Sequence, residues 1–336
     1  MRSKTIRIRC HGDKLSLYVV LSIFESAAFD DFAYTSTVSI PTHRKGELSI
    51  IAGSVLWSLF PVITILSYSA LTPLFAAAIA TLVAAPFFAL LITLKGQWPL
   101  LLVRRAWKDI LFTTFYIGIL FYGFTFLGLK TTTAGNAAIM GQMETFFAFL
   151  LLGYWLHHER VTPAQLAGGM AMVLGAALIL LPKADSWHTG DWLIVLAAAC
   201  APLGNKHAQA AREIVSSEVI MFYRSILSGL FLLLLAFVVE PRPELQALSA
   251  SIGFLAINGF LLLGLSKILW IEGINRITIT EATALNCVTP LFTLLFAFFL
   301  LNEKISLFQI VGFIPIAVGV ILLTKNGTKD IISGSE

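Results

Sequence analysis

Four ionisable side chains lie inside long apolar stretches of the sequence, where a charge needs a physical reason: Glu144, Lys206, Arg224 and Lys267. A charge at the centre of a membrane-spanning helix costs at least about 2.5–3.5 kcal/mol, so such residues are usually functional, paired or close to an interface. A carboxylate at such a depth can bind a cationic group or carry a proton. An ammonium group there can bind a carboxylate.

Glu144 is the most central of the four. It is the thirteenth residue of an apolar stretch over 132–156 and cannot reach either end. Asn136, Met140 and Glu144 recur every four residues, so on a helix they share one face. We expect this face to line a cavity, where Glu144 binds a cationic substrate group or carries a coupling proton. The structural alternative is a paired or protonated Glu144 that locks two helices together.

The three basic residues lie nearer the ends of their stretches. Long basic side chains there can extend to the interface, and we favour this interpretation for Lys206 and Arg224. Lys267 and Trp270 are one helical turn apart on one face. Lys267 is therefore a candidate counter-charge for Glu144 or for a substrate carboxylate.

Aromatic and amide side chains complete the candidate binding residues. Trp57, Tyr122 and Trp270 could stack on an aromatic or cationic ligand, or could serve as packing residues and interface anchors. Asn286 is the remaining polar candidate.

Proline interrupts three of the apolar stretches, at Pro61, Pro202 and Pro290. A proline inside a helix frees a carbonyl group and kinks the helix, and kinked helices often flank a transport site. We expect breaks near Pro61 and Pro202, although lipid-embedded helices also tolerate proline.

Composition defines the class of protein that must position these residues. Only 12% of the 336 residues are charged, against about 25% in a soluble domain, and 57% are hydrophobic. This excludes a soluble enzyme, a disordered chain and a nucleic-acid-binding domain as main interpretations. The composition therefore predicts an all-α integral membrane protein.

Ten apolar stretches are long enough to cross about 30 Å of hydrocarbon as helices. Backbone groups in lipid must be satisfied internally, and the continuous runs differ from the alternating strands of a β-barrel. The predicted spans are 47–68, 72–94, 109–129, 132–156, 164–181, 190–211, 217–239, 249–271, 278–301 and 306–324.

The loop charges predict the orientation, because Lys and Arg accumulate on the cytoplasmic side. If the segment before the first span is inside, eleven positive charges lie inside: Arg44, Lys45, Lys95, Arg104, Arg105, Lys108, Arg160, Arg212, Arg276, Lys325 and Lys329. Four lie outside: Lys130, Lys183, Arg242 and Lys304. Both termini are therefore predicted to be cytoplasmic.

Other motifs in the chain are weak. Residues 1–45 loosely resemble a signal peptide, but a disordered extension or a misassigned start is the preferred interpretation. The three cysteines are far apart, and His157 and His158 lack the spacing of a zinc helix. No phosphate-binding loop appears. We therefore expect no metal, no cofactor and no ATP site.

The sequence repeats itself at an offset of 144 residues, which aligns an acid, a glutamine and two glycines. The first copy has Glu159, Gln165, Gly168 and Gly175, and the second has Glu303, Gln309, Gly312 and Gly319. Five spans per copy is an odd number, so the second copy must be inverted in the membrane. Inverted repeats are typical of secondary transporters, with the substrate site between the halves.

These two blocks resemble the EamA-type transporters of the drug/metabolite transporter superfamily, over about 46–325. Three further features match the family pattern: Pro290 in the ninth span, Arg224 in the seventh, and Trp57-Ser58 in the first. The first copy departs from it, with Phe146 in place of the proline and Ala80 in place of the arginine. The site is therefore expected to be asymmetric.

The resemblance implies two five-helix units, at 46–182 and 190–325, followed by a cytoplasmic tail at 326–336. It also implies a cavity lined by spans 1, 3, 4, 6, 8 and 9. The predicted function is secondary-active export of a small metabolite, such as an amino acid or amine, by alternating access. We expect a bacterial inner-membrane location, a monomer or homodimer, protons as a possible second partner, and no nucleic acid.

Two other classes of protein were weighed against a transporter. An intramembrane enzyme acting on lipid-like substrates would need clustered acids or a His/Ser/Cys constellation at a membrane face. A non-transporting scaffold or sensor would usually carry a soluble output domain. Neither feature is evident in the sequence, so we predict no enzymatic activity.

Overall fold

The structure is a computed structural model that describes residues 42–155, 162–180 and 189–324. Most of the N-terminal extension, Glu159 and the C-terminal tail lie outside the described residues, and so does the side chain of Gln165. Within the described ranges every regular element is helical, which confirms the all-helical prediction.

Helices follow one another with short connections, and we label them in chain order. The first five are α1 (Thr42–Ser67), α2 (Pro73–Leu94), α3 (Arg104–Leu129), α4 (134–155) and α5 (Pro163–Leu180). The next five are α6 (Thr189–Arg212), α7 (Ser217–Val239), α8 (245–274), α9 (279–301) and α10 (Leu307–Thr324).

Among the described residues, five helices are long and apolar enough to cross a membrane: α1, α2, α3, α7 and the part of α8 from Ser249 to Ile274. Shorter apolar helices cover Leu166–Ile179, Val288–Leu301 and Leu307–Leu322. These helices agree with a membrane protein, while the count of ten spans stays a prediction.

Equivalent helices of the two halves pack against each other. Helix α2 packs on α7, α4 on α9, and α5 on α10. Helix α1 packs on α8, and α6 packs in the same way on α3. Replacing each helix by its equivalent in the other half gives the same set of contacts. The packing therefore has approximate two-fold symmetry.

Helices α5 and α10 run antiparallel. A Cβ atom added at Gly175 would lie 2.5 Å from the carbonyl oxygen of Gly312, and one added at Gly319 would lie 2.5 Å from the carbonyl oxygen of Gly168. Adding 144 to Gly175 and Gly168 gives Gly319 and Gly312, so the two contacts are equivalent. An antiparallel pair of equivalent helices requires a two-fold axis perpendicular to the helices.

Contacts between the helix ends fall into two groups. One end of the bundle is held by ion pairs, such as Lys95–Glu218 at 2.8 Å and Arg212–Glu272 at 2.9 Å. At the opposite end carboxylates accept hydrogen bonds from uncharged donors. Glu240 accepts from Thr72 at 2.7 Å, and Glu303 accepts from the backbone of Ala134 at 2.9 Å.

Three described helices are interrupted, and two of the interruptions lie close to a predicted hinge proline, Pro61 or Pro290. Helix α1 breaks at residues 58–59, and its second part, Phe60–Ser67, begins with Pro61 in the first turn. The expected break at Pro202 is wrong, because Thr189–Arg212 is one continuous helix. Proline removes one backbone hydrogen bond, and the packing of α6 on α3 and α4 holds the helix together there.

The other two interruptions lie at equivalent positions and touch each other. Helix α4 is interrupted at Gln142 and α9 at residues 286–287, where Pro290 follows in the next turn. The Nε2 atom of Gln142 donates to the backbone oxygen of Asn286 at 3.3 Å. Because these residues are 144 apart, the approximate two-fold axis passes between them.

Helices α3 and α8 also share an irregularity. Each contains a π-helical stretch, Thr114–Phe121 in α3 and Ile257–Leu265 in α8, at nearly equivalent positions. Such stretches are rare, widen the helix locally and occur frequently at functional sites. The stretch in α3 contains the cavity residues Ile117 and Phe121, and the stretch in α8 is followed directly by Ser266 and Lys267.

Candidate functional site

A central cavity, partly open to the surroundings, lies between the two halves. It has an apolar wall with a few polar groups, which is the usual character of a small-molecule site. The lining residues are Gly53, Ser54, Trp57, Ile117, Phe121, Glu144, Ala201, Asn205, Arg224, Ser266, Lys267, Trp270, Ile271 and Asn286. They come from the six expected helices and, through Arg224, also from α7.

Glu144 anchors a short polar chain on one wall. The Nδ2 atom of Asn205 donates to Oε1 of Glu144 at 2.8 Å. The indole Nε1 of Trp270 donates to Oδ1 of Asn205 at 3.0 Å. Asn205 therefore uses both ends of its amide to fix an acid from the first half and an indole from the second. Sequence reasoning had not selected Asn205, although the offset of 144 aligns it with Pro61.

Lys267 lies over an aromatic face. Its Nζ atom is 3.1 Å from the centroid of the Trp57 ring, a cation–π contact. Trp57 in turn stacks on Phe60, with ring centroids 4.0 Å apart and planes 9° apart. The break in α1 between Trp57 and Phe60 allows this stacking. Among the described residues, Lys267 and Glu144 form no ion pair with each other.

Arg224 corrects a sequence prediction. We expected this side chain to extend to the interface, but it is only 2% exposed and lines the cavity. Its guanidinium carbon lies 5.2 Å from the centroid of the Tyr122 ring. Within the part of the chain that the structure describes, its Nε and Nη2 atoms have no hydrogen-bond partner. The neighbouring Tyr223 takes the outer position instead, and its hydroxyl donates to the carbonyl of Leu101 at 2.8 Å.

Two predicted residues of α4 lie away from the cavity. Met140 is fully buried in the apolar core. Asn136 is buried in a polar network, where its Nδ2 donates to Asp191 at 3.4 Å and its Oδ1 accepts from Gln309 at 2.8 Å. The interruption at Gln142 separates this part of α4 from Glu144. Their expected common face therefore ends before the cavity begins.

Of the remaining candidate residues, some line the cavity and others do not. Trp57, Glu144, Lys267, Trp270 and Asn286 are brought together in the cavity wall. Tyr122 lies behind it, under the guanidinium of Arg224, and Lys206 is not among the lining residues.

Outside the cavity, three potential metal ligands lie close together at the helix ends. A ring nitrogen of His43 is 3.6 Å from Glu47, and its other ring nitrogen is 3.2 Å from Glu281. His43 is about half exposed. We interpret this cluster as a polar contact between α1 and α9.

Comparison with known proteins identifies the family. The sequence model of the EamA-like transporter family matches residues 44–181 and again residues 188–325. The start points of the two matches are separated by the same 144 residues as the repeated motifs. The prediction drawn from these motifs is confirmed.

Related proteins include two that are named transporters. An uncharacterized transporter of Synechocystis is 24% identical over 302 residues, covering 84% of this chain and 91% of the relative. One of Methanothermobacter thermautotrophicus is 27% identical over 244 residues, covering 69% of each chain. The protein PecM of Dickeya dadantii is 27% identical over 229 residues, covering 66% of this chain and 74% of the relative.

A solved crystal structure shares the fold. It superposes with a TM-score of 0.64 at 18% identity, over 83% of this chain and 97% of the other. Together with the two family matches and the transporter relatives, this shows that the chain belongs to the EamA-like transporter family and is a membrane transporter.

Proposed function

We propose that the chain is a secondary-active transporter that exports a small metabolite, such as an amino acid or amine, by alternating access. It would reside in a bacterial inner membrane, with ten spans in two inverted five-helix units and both termini in the cytoplasm. A transmembrane gradient of protons or of the substrate would supply the energy.

The observation that carries this proposal is the composition of the cavity wall. Glu144 comes from the first family copy and its partner Asn205 from the second, while Trp57 and Lys267 join the copies in the same way. A relative movement of the halves would break or remake these contacts. A site divided between two moving halves is what alternating access requires.

The contacts at the helix ends support the inverted arrangement. Ion pairs join the connections between α2 and α3, α6 and α7, and α8 and α9. The carboxylates that accept from uncharged donors join the connection between α1 and α2 to the end of α7, and the connection between α9 and α10 to the start of α4. From α1 to α4 and from α6 to α10, the described connections therefore alternate between the two ends. The ion-paired end is the one that the loop charges assign to the cytoplasm.

Reconstitution tests the proposal directly. The purified full chain in proteoliposomes is assayed for uptake and efflux of a panel of amino acids, amines, sugars and nucleosides, with and without a pH gradient. We expect flux of at least one solute above that of empty liposomes. Flux that responds to the gradient would establish coupling to protons. Absence of flux for the whole panel would overturn the transporter mechanism proposed here.

A further inference from the structure

The cavity contains more positive than negative charge. Of the described residues, three ionisable side chains line it: Arg224, Lys267 and Glu144. Arginine stays protonated in proteins, and the ordinary charges of the other two cancel. One positive charge is therefore left without a counter-ion in the wall. Removing an ion from water is costly unless an opposite charge or polar partners replace the water.

Arg224 carries this unsatisfied charge. Among the described residues, its Nε and Nη2 atoms are buried without a partner, and its guanidinium carbon lies 5.2 Å from the centroid of the Tyr122 ring. The planar guanidinium presents parallel N–H groups, an arrangement that matches the two oxygens of a carboxylate. The free donors are thus suited to a planar anion.

The rest of the wall suits an apolar body attached to that anion. Trp57, Phe121 and Trp270 line the cavity with aromatic surface. Trp57 is already held by its stacking on Phe60, and Trp270 by its hydrogen bond to Asn205. Rigid aromatic side chains supply contact area at a low cost in conformational entropy.

We propose that the substrate of this cavity carries a carboxylate that Arg224 binds in a bidentate manner, with Lys267 as the second cation and the aromatic wall around its apolar part. This inference rests on the proposed transport function and decides between its two substrate classes. A carboxylate neutralises the cavity, whereas a simple amine would bring a second uncompensated positive charge into it. An amino acid remains compatible because its ammonium group can face Glu144.

Three probes of the same size test the inference: phenylacetate, phenylacetamide and phenethylamine. Binding to the purified full chain in detergent is measured by calorimetry, with no liposome and no gradient. We expect phenylacetate to bind at least about tenfold more tightly than the amide, since hydrogen bonds between two charged groups are stronger than those to a neutral acceptor. The amine should bind most weakly.

Two substitutions of Arg224 and one control substitution assign the preference to this residue. In Arg224→Gln the affinity for phenylacetate should fall by about tenfold or more, while the affinity for the amide stays the same. Lys206→Gln is the matched control, since it removes one positive charge of α6 that does not line the cavity. Arg224→Lys keeps the charge without the planar fork and should give an intermediate affinity. Thermal unfolding establishes that each variant is folded.

Several outcomes would overturn the inference: no binding of phenylacetate, equal binding of the amide or amine, or a preference that survives Arg224→Gln. Competition by inorganic phosphate as strong as that by phenylacetate would overturn the assignment to a carboxylate. If Arg224→Gln does not fold, the comparison of the three probes on the unaltered protein still decides. Selective binding without flux in proteoliposomes would refute transport alone. Flux without anion preference would refute this inference alone.

Discussion

The carboxyl group of Glu144 is hydrogen-bonded to an uncharged partner. Its carboxylate accepts from the amide of Asn205, and the nearest cavity cations belong to other helices. An acid held by an uncharged partner can change its protonation or its ligand without the loss of a salt bridge. This arrangement favours a mechanistic role over a purely structural lock.

Glu144→Gln tests this role, because glutamine keeps the size of the side chain and removes its charge. We expect solute flux in proteoliposomes to fall by roughly tenfold or more, with loss of any dependence on the pH gradient. Glu244→Gln, at an exposed position, should transport like the unaltered protein. A Glu144→Gln protein with normal flux and unchanged pH dependence would remove Glu144 from the mechanism.

Individual residues show where sequence reasoning succeeds and where it stops. Glu144 could be selected because it is far from both ends of its span, a property that depends on the sequence alone. Arg224 could not be placed correctly, since its depth allowed both an outward and an inward direction. The choice is made by neighbours distant in sequence: Leu101 binds Tyr223, and the Tyr122 ring accommodates Arg224.

At the scale of elements, close packing of α5 on α10 depends on glycine. The carbonyl oxygen of Gly312 occupies the space that a side chain at Gly175 would need, and backbone atoms cannot move aside as a flexible side chain can. The same residues supply the glycines of the repeated motif. Both copies of the repeat have glycine at these positions because the backbones of the two helices touch there.

Gly175→Ala should therefore push the two helices apart and destabilise the protein by about 1–3 kcal/mol, the usual cost of overpacking. Thermal unfolding in detergent would show a lower midpoint. Gly253→Ala is the matched control, because an added Cβ atom meets nothing within 4 Å in α8. That variant should be neutral or more stable by up to about 1 kcal/mol. Equal midpoints for both variants would contradict the packing argument.

Helix interruptions were predictable only where proline marks them. Pro61 marks the break in α1, but Gln142 has no local signal of this kind. The contact that accompanies the second break is its hydrogen bond to the backbone of Asn286, a residue 144 positions away. The separation of Asn136 from Glu144 therefore could not be derived from helical periodicity.

At the scale of the whole molecule, one carboxylate joins three helices at the ion-paired end of the bundle. Glu272 of α8 binds Arg212 at 2.9 Å and Arg276 at 2.9 Å, and it also accepts from the hydroxyl of Ser217. Its carboxylate thus joins α6, α7 and α8 at this end. A transporter that opens here must break these contacts.

Glu272→Gln should shift the protein toward a conformation open at this end. With a Cys at the cavity position Ser54 and the native cysteines removed, we expect an impermeant maleimide to react about fivefold faster from this side, the effect of about 1 kcal/mol on an equilibrium. Glu213→Gln, exposed at the same end, should leave the rate unchanged. An unaltered labelling rate in Glu272→Gln would show that these ion pairs do not hold the end closed.

The overall architecture was largely predictable because lipid leaves few solutions. Apolar length predicts helices, and the repeat at an offset of 144 predicts which helices are equivalent. Which helices touch across the two halves was not contained in those signals. The pairing of helices depends on complementary surfaces, such as the Gly175–Gly312 contact, that are formed by segments far apart in the sequence.

The hydrogen bond between Gln142 and Asn286 has a consequence for how such a molecule changes over generations. In a dimer of two identical half-length chains, one substitution at the two-fold axis would be present in both chains, and the two new residues would face each other. Fusion of the halves into one chain removes this restriction, since each side of the axis can then vary alone. Gln142 opposite Asn286, and Ala80 in one half where the other has Arg224, are differences of that kind. A symmetric ancestor could thus give rise to a binding site whose two sides differ.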